Sequence, residues 1–362
     1  MGRILVFAAQ MLWFGLATAV PMYGNDLFEG DSCVLPDGVT TGTCRRDFEC
    51  DYLKTIPKSD WKRCSFVGNV SIVCCRDKSP SIQGSANRLR SGFISERMCD
   101  GFPPFSDASN HIFNGILADV SDFPYLGAIA FGDENDEKFG CGASLISREY
   151  MLTAAHCVTR PNEPKFVRLG VTRIFNNSGS TDDPVDVGFE KVIIHPDYKV
   201  LPLSNDIALL KLNRTIDEDF LIPACLYTNS TDPGPHTNLS VAGWGSIESI
   251  DYEMSADLMK AHVNTFEREE CNTILQRDKS PRNKVPTLRD GQLCAIGKNA
   301  TGDVTGDTCI GDSGGPLELA IGRRRYIVGL TSTGKICGTN YPGIYTRVSH
   351  FIDWIESVVW PA

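Results

Sequence analysis

From Ile112 onward, short apolar runs alternate with turns rich in glycine, proline and asparagine. Tyr125-Leu126-Gly127-Ala128-Ile129-Ala130-Phe131 precedes an acidic turn from Asp133 to Glu137, and Ala143-Ser144-Leu145-Ile146 and Tyr326-Ile327-Val328-Gly329-Leu330 have the same strand-like length. Such runs, bounded by turn residues, predict antiparallel strands rolled into a β-barrel. The C-terminus has another period: from Ser349 to Trp360, Phe351, Trp354, Ile355, Val358 and Val359 share one broad face, which predicts a helix. Residues 77–107 mix serine, glycine, proline, asparagine and charge without periodicity and read as linker. At the N-terminus, Arg3 precedes an apolar run from Ile4 through Leu16 and then Ala17-Thr18-Ala19. A basic start, a run of that size and small residues at its end predict a secretory signal peptide, residues 1–19. The run is shorter than a bilayer core requires, and no later stretch is long and apolar enough to span one.

The chain of 362 residues has room for two or three domains, and 42% apolar with 22% charged residues is ordinary for a soluble protein. A net charge of -10 argues against a nucleic-acid or anionic-membrane surface. The run Arg323-Arg324-Arg325 reads as a solvated hairpin loop. Fourteen cysteines, none in the leader, fit an oxidising compartment and up to seven disulfides. Six of them, Cys33, Cys44, Cys50, Cys64, Cys74 and Cys75, fall within 43 residues. A block that small buries little apolar surface and needs covalent staples, although spacing leaves all fifteen pairings open. Asn69, Asn176, Asn213, Asn229, Asn238 and Asn299 each begin a glycosylation triplet. No cofactor is required by any motif. Calcium has only Asp182, Asp183 and Asp186 to recommend it, without the spacing of a ligand loop, so solvated acids are the preferred reading and the metal stays unassigned.

The chemistry centres on Gly306-Asp307-Thr308-Cys309-Ile310-Gly311-Asp312-Ser313-Gly314-Gly315-Pro316. A serine among glycines can occupy a tight turn in which its own N–H and that of Gly311 point at one spot, an oxyanion site beside an exposed hydroxyl. A serine hydroxyl is a weak nucleophile and demands a base and an orienting carboxylate. Thr153-Ala154-Ala155-His156-Cys157 and Asn205-Asp206-Ile207-Ala208 offer them.

These three segments, in this order, resemble the chymotrypsin/trypsin serine proteases over residues 112–362. The resemblance implies an all-β fold of two six-stranded barrels with a C-terminal helix, His156 and Asp206 in the first barrel and Ser313 in the second. It implies that His156 takes the Ser313 proton while Asp206 fixes the imidazole tautomer, and that the Gly311 and Ser313 N–H groups form the oxyanion hole. Asp307, six residues before Ser313, takes the place of the carboxylate that accepts substrate arginine or lysine. Ser332, Gly334 and Gly343 take the walls. Gly243-Trp244-Gly245 matches a second-barrel signature with a structural role. Disulfides Cys141 to Cys157, Cys271 to Cys294 and Cys309 to Cys337 follow from the same resemblance.

The six clustered cysteines, with five residues between the second and third and an adjacent pair at the end, resemble the clip domain of arthropod serine proteases. That likeness, over residues 33–75, implies pairings Cys33 to Cys74, Cys44 to Cys64 and Cys50 to Cys75, and a docking surface for a cascade partner. Residues 76–111 become linker and activation segment. Cleavage after His111 frees the amine of Ile112 to pair with Asp312, and Cys99 bonded to Cys225 keeps the two chains together. Phe113, Asn114 and Thr333 depart from the family's usual residues. The non-basic His111 is similar to the subgroup that includes persephone and snake. The reading is therefore a secreted, extracellular zymogen, in haemolymph by resemblance, within an immune cascade of Toll or melanisation type. Its implied partners are an upstream activating protease, a downstream proenzyme and a serpin inhibitor, with neither nucleic acid nor membrane insertion. A catalytically inactive clip-domain cofactor and a digestive trypsin-like enzyme are the alternatives.

Overall fold

The computed structural model describes residues 27, 31–35, 41–47, 50, 53, 58, 61–67, 70–76, 91–105, 116–131, 138–159, 163–175, 184–235, 237–246, 254–277, 287–299, 302–334 and 337–361. The signal peptide, Asn69, the acidic turn 133–137, His111, Ile112, Asn176, Asp182 and Asp183 lie outside them. The chain divides into two compact units, 1–86 and 87–362.

In the N-terminal unit, β1 (Ser32–Val34), β2 (Thr41–Arg46), β3 (Arg63–Val67) and β4 (Val70–Arg76) form an antiparallel sheet in the order β1-β2-β4-β3. Its apolar interior is two small clusters, one around Leu35 and Ile72 and the other around Leu53 and Val73. Cys33–Cys74, Cys44–Cys64 and Cys50–Cys75 cross this sheet, so covalent bonds supply what so small a core cannot. These are the pairings implied by the clip resemblance.

The larger unit opens with α1 (Phe93–Asp100) and β5 (Ile116–Leu117). Next come β6 (Leu126–Ala130), β7 (Phe139–Ser147), β8 (Tyr150–Thr153), the short α2 (Ala155–Val158), β9 (Phe166–Leu169), β10 (Val185–Ile194) and β11 (Ala208–Leu212). The six strands close into a barrel in the order β10-β11-β8-β7-β6-β9. Every residue of β6 is buried, and Ile129, Leu145, Leu152, Val167, Leu169 and Leu209 fill the centre, which explains the unbroken apolar run at Tyr125–Phe131.

The second barrel is built from β13 (Leu239–Gly243), β14 (Met259–Thr265), β15 (Gln292–Lys298), β17 (Pro316–Ile321), β18 (Arg324–Thr333) and β19 (Gly343–Arg347). The path β15-β19-β18-β17-β13-β14 returns to its start where Asn264 and Thr265 pair with Ile296 and Ala295. β12 (Cys225–Leu226) joins β18 in parallel, β16 (Val304–Gly306) extends β15, and β5 borders β14. α3 (Arg268–Leu275) follows β14, and α4 (Ile352–Val359) ends the fold after one 3-10 turn, burying Ile352, Ile355, Glu356 and Val359. The expected double barrel and C-terminal helix are therefore present. Among the described residues no helix is long and apolar enough to cross a membrane.

Two expectations are corrected. The stretch read as linker contains α1, and Ser95, Cys99 and Phe105 are buried in the larger unit. The arginine run is not a solvated loop. Arg323 Nε donates to Phe105 O at 2.8 Å, Arg324 Nη1 donates to Cys99 O, and Arg325, only 8% exposed, reaches Glu318 at 3.7 Å. The partners of Arg323 and Arg324, Phe105 and Cys99, lie more than two hundred residues upstream, beyond the reach of local pattern.

Candidate active site

β8 delivers its last residues directly into α2, so His156 sits one turn from a barrel strand whose register with β11 is fixed by Thr153 opposite Ala208. Just before β11, Asn205 adopts φ 50 and its side-chain amide donates to Asp197 O at 2.8 Å. Asparagine tolerates this left-handed conformation, and the kink sends the next side chain inward. Asp206 is 1% exposed. Its Oδ1 accepts the His156 N–H at 2.8 Å, and its Oδ2 lies 2.8 Å from His156 Nδ1. A carboxylate there fixes the proton on Nδ1 and leaves Nε2 unprotonated, able to act as a base.

Two further groups hold Asp206. Ser332 Oγ donates to Oδ2 at 2.5 Å, and Thr346 Oγ1 donates to its main-chain carbonyl at 2.8 Å. Ser332 was assigned to the substrate pocket from the sequence; its hydroxyl faces Asp206, so the second barrel clamps the carboxylate of the first.

The serine turn lies against the cysteine that follows this histidine. Cys157 Sγ is 3.8 Å from His156 Nε2 and 3.5 Å from Ser313 O, and Gly142 N–H donates to that oxygen at 2.8 Å. Gly314 N–H donates to Thr331 O at 2.7 Å. Gly311 has φ 103 and Gly314 φ 76, conformations that a Cβ would strain; at Gly314 it would also meet Thr153 Oγ1 at 2.2 Å. The glycines on both sides of Ser313 are thus what lets the turn fit between the barrels. Cys141–Cys157 fastens the histidine helix to β7, and Cys309–Cys337 fastens the turn to the loop after β18. Cys271–Cys294 and Cys99–Cys225 complete the set, and all fourteen cysteines are paired.

Asp307 Oδ1 accepts the Thr308 N–H at 2.8 Å and Oδ2 the Gly338 N–H at 3.1 Å. Burial pushes its carboxyl up to about 6, with the two backbone bonds opposing, so it is anionic near neutrality. A Cβ on Gly334 would lie 3.8 Å from Gly343 Cα, and one on Gly343 would lie 3.4 Å from Thr308 Oγ1. The two bare glycines therefore face each other, with Thr308, the neighbour of the acid, beside Gly343. Thr333, beside them, is exposed.

Asp312 is turned away from solvent. Its Oδ1 accepts the Gly245 N–H at 2.8 Å, and its Oδ2 the Cys309 N–H at 2.9 Å. A Cβ on Gly243 would meet Oδ1 at 2.2 Å, so the Gly243-Trp244-Gly245 signature is a cradle for this acid as well as a core element. Trp244 anchors it by donating from Nε1 to Thr172 O at 3.0 Å. Among the described residues no cation pairs with Asp312, and burial raises its carboxyl to about 6. It borders a cavity of about 520 Å3 that Gly243, Gly245, Lys260, Ala261 and Asp307 also line.

Other candidates are dispersed. Asn213, Asn229, Asn238 and Asn299 are exposed, and Asn299 Nδ2 is engaged by Asp303 at 3.1 Å. Asp186 forks with Arg168 at 2.9 and 2.7 Å, so an ion pair occupies the one described acid of the calcium candidate.

The trypsin family profile matches residues 112–355. Serine protease Hayan of Drosophila melanogaster is 40% identical over 261 residues, 70% of this chain, which spans 39% of Hayan's length. CLIP domain-containing serine protease B4 of Anopheles gambiae is 31% identical, covering 91% of this chain and 92% of its own. Phenoloxidase-activating factor 3 of Holotrichia diomphalia is 33% identical, covering 97% and 99%. With a double barrel, a stapled N-terminal unit and full-length likeness to such proteins, the chain belongs to the trypsin family, among the clip-domain serine proteases of arthropods.

Proposed function

We propose that this chain is a secreted serine endopeptidase zymogen, activated by cleavage between His111 and Ile112, that then cuts after arginine or lysine in a downstream protease precursor. The observation that carries the reading is His156 held by Asp206, itself held by Ser332, beside the Ser313 turn. A binding cofactor has no need of an imidazole fixed in that tautomer.

Catalysis would proceed by attack of Ser313 Oγ on the scissile carbonyl carbon as its proton passes to His156 Nε2. The oxyanion would be held by the Gly311 and Ser313 N–H groups, each worth about 3 kcal/mol. His156 would return the proton to the departing amine, and water would release the acyl group by the same route. Asp307, with Gly334 and Gly343 as walls, would receive the basic side chain, for which an anion and bare walls are suited.

Support for the switch comes from Asp312, which pairs with no cation among the described residues, and from the cavity it borders. Ile116 pairs with Lys260 on the cavity wall, and the four residues from Ile112 to Ile116 span at most about 14 Å. A freed ammonium could thus reach the carboxylate. His111 would not fit a pocket floored by Asp307, so a protease of other specificity must act upstream. Fourteen paired cysteines and the leader favour secretion. The likeness to phenoloxidase-activating factor 3 supports a downstream step among cascade activations, and an immune cascade of Toll or melanisation type is the setting proposed. The stapled N-terminal unit and His111 favour this over digestion. A serpin is the proposed inhibitor.

The test is to cut the purified chain at an engineered site that leaves Ile112 as the new terminus and to supply an arginyl ester. Turnover that disappears in Ser313→Ala supports the reading; no turnover from the correctly cut chain refutes it.

A further inference from the structure

The disulfide Cys99–Cys225 is a single point of attachment and by itself fixes neither end of the segment that carries Cys99. That segment is nonetheless held at both ends and in the middle. At the start of α1, the Ser95 N–H donates to Glu356 Oε1 of α4 at 2.7 Å, and both residues are buried. In the middle, Arg324 donates to the carbonyls of Cys99 and Asp100 at the end of α1, the first of which also accepts the Phe102 N–H. At the far end, Phe105 is 2% exposed. Its N–H donates to Arg323 O at 2.9 Å, and its carbonyl accepts from Arg323 Nε at 2.8 Å. Its ring meets Tyr125 edge-on at 6.1 Å and lies under the Arg325 guanidinium at 5.4 Å.

We infer that residues 92–105 are a non-covalent anchor that keeps the light chain, and with it the stapled N-terminal unit, attached to the protease unit after cleavage, independently of the Cys99–Cys225 bond. The inference rests on the proposed cut after His111 and goes further than it. Every group of the anchor lies upstream of residue 111 or on the protease unit itself, so the cut removes none of them. Leaving would expose Phe105, take the Ser95 N–H from the Glu356 carboxylate and open the ring contact on Arg325. The surface on β12, β18 and α4 is thus a docking site for one partner, the chain's own light segment. The arginine run is its positive edge, matched to main-chain carbonyls and, at Arg324, to the Asp100 carboxylate at 3.8 Å.

The experiment uses the full chain with Cys99→Ser and Cys225→Ser and an engineered cleavage site directly before Ile112. After cutting, native size-exclusion chromatography at micromolar protein is expected to show both chains in one peak. Adding Phe105→Ala is expected to weaken retention by about 100-fold, as truncation of a buried phenylalanine does, and to separate them. A light chain that leaves with Phe105 intact overturns the inference. Should the serine variant not fold, hydrogen exchange on the uncut wild-type chain decides. The Ser95 and Phe105 amides should be protected, with Glu356→Ala accelerating Ser95 by about tenfold or more; exchange at the rate of an open segment overturns the anchor. Arginyl turnover by the same cut sample separates the two ideas. Loss of the light chain with turnover intact condemns the anchor alone, and retention without turnover condemns the proposed activity alone.

Discussion

Replacing Asp312 with asparagine should silence the cut enzyme while leaving the uncut chain folded. Asp312 keeps the two backbone donors of Gly245 and Cys309, which an amide oxygen can still accept in part, but the charge is gone. In the uncut chain that charge is a burden. Its carboxyl rises from 3.8 to about 6, which disfavours ionisation by at most about 3 kcal/mol, because the group keeps some exposure to the cavity. Asp312→Asn should therefore leave the uncut chain as stable as wild type or slightly more so in urea denaturation near neutral pH. After the cut the sign reverses. An ammonium brought beside an uncharged amide is buried without a partner, a loss of about 3–5 kcal/mol when one member of a buried pair is removed. That is about 100-fold or more in the fraction of competent enzyme, and kcat/KM for an arginyl peptide should fall accordingly. Terminal sequencing must show Ile112 freed in both proteins. The reasoning is refuted if the cut variant keeps more than half of the wild-type kcat/KM, or if the uncut variant is the less stable by several kcal/mol.

Ser332→Ala removes a hydroxyl that donates to the Asp206 carboxylate at 2.5 Å, and should lower kcat by about tenfold or more with little change in KM; a KM effect alone would assign Ser332 to substrate binding instead. His111→Arg should let the purified chain activate itself with a lag and then acceleration, whereas wild type stays silent; equal behaviour on arginyl substrate would contradict the pocket reading of Asp307. Glu318 is buried against Tyr125, and burial raises its carboxyl to about 7. The folded chain therefore holds a proton at pH values where the unfolded chain has lost it. Relative to Glu318→Gln, wild-type stability should fall as pH rises from about 5 to about 8, by about 3 kcal/mol, in urea titrations at the two ends; a rise would contradict it.

Part of the fold was legible because a strand such as β6 is short, wholly buried and bounded by turns, so that Tyr125–Phe131 reads as a strand with no partner in view. The serine turn was legible because glycine is demanded at Gly311 and Gly314 by backbone conformation, a requirement sequence records directly. What the sequence hid depends on distant partners. Ser332 gives no sign that its hydroxyl crosses to Asp206, 126 residues earlier. The arginine run looks solvated because Arg323 and Arg324 donate to main-chain carbonyls at Phe105, Cys99 and Asp100, which leave no mark in residue type. α1 escaped notice because only Ser95 and Cys99 of its residues are buried, too narrow a face for an apolar period. The cradle at Gly243 and Gly245 carries two meanings at once, and only its place around Asp312 separates them.

The central claim is that freeing the amine of Ile112 converts an inert chain into an arginine-directed protease. The direct measurement is kcat/KM for one arginyl peptide, on the same preparation before and after a single cut at the 111–112 bond. A rise of about 1,000-fold or more, abolished by Ser313→Ala, is the predicted result. Equal rates for the intact and cut chains, or a cut chain that leaves the peptide untouched, would contradict it.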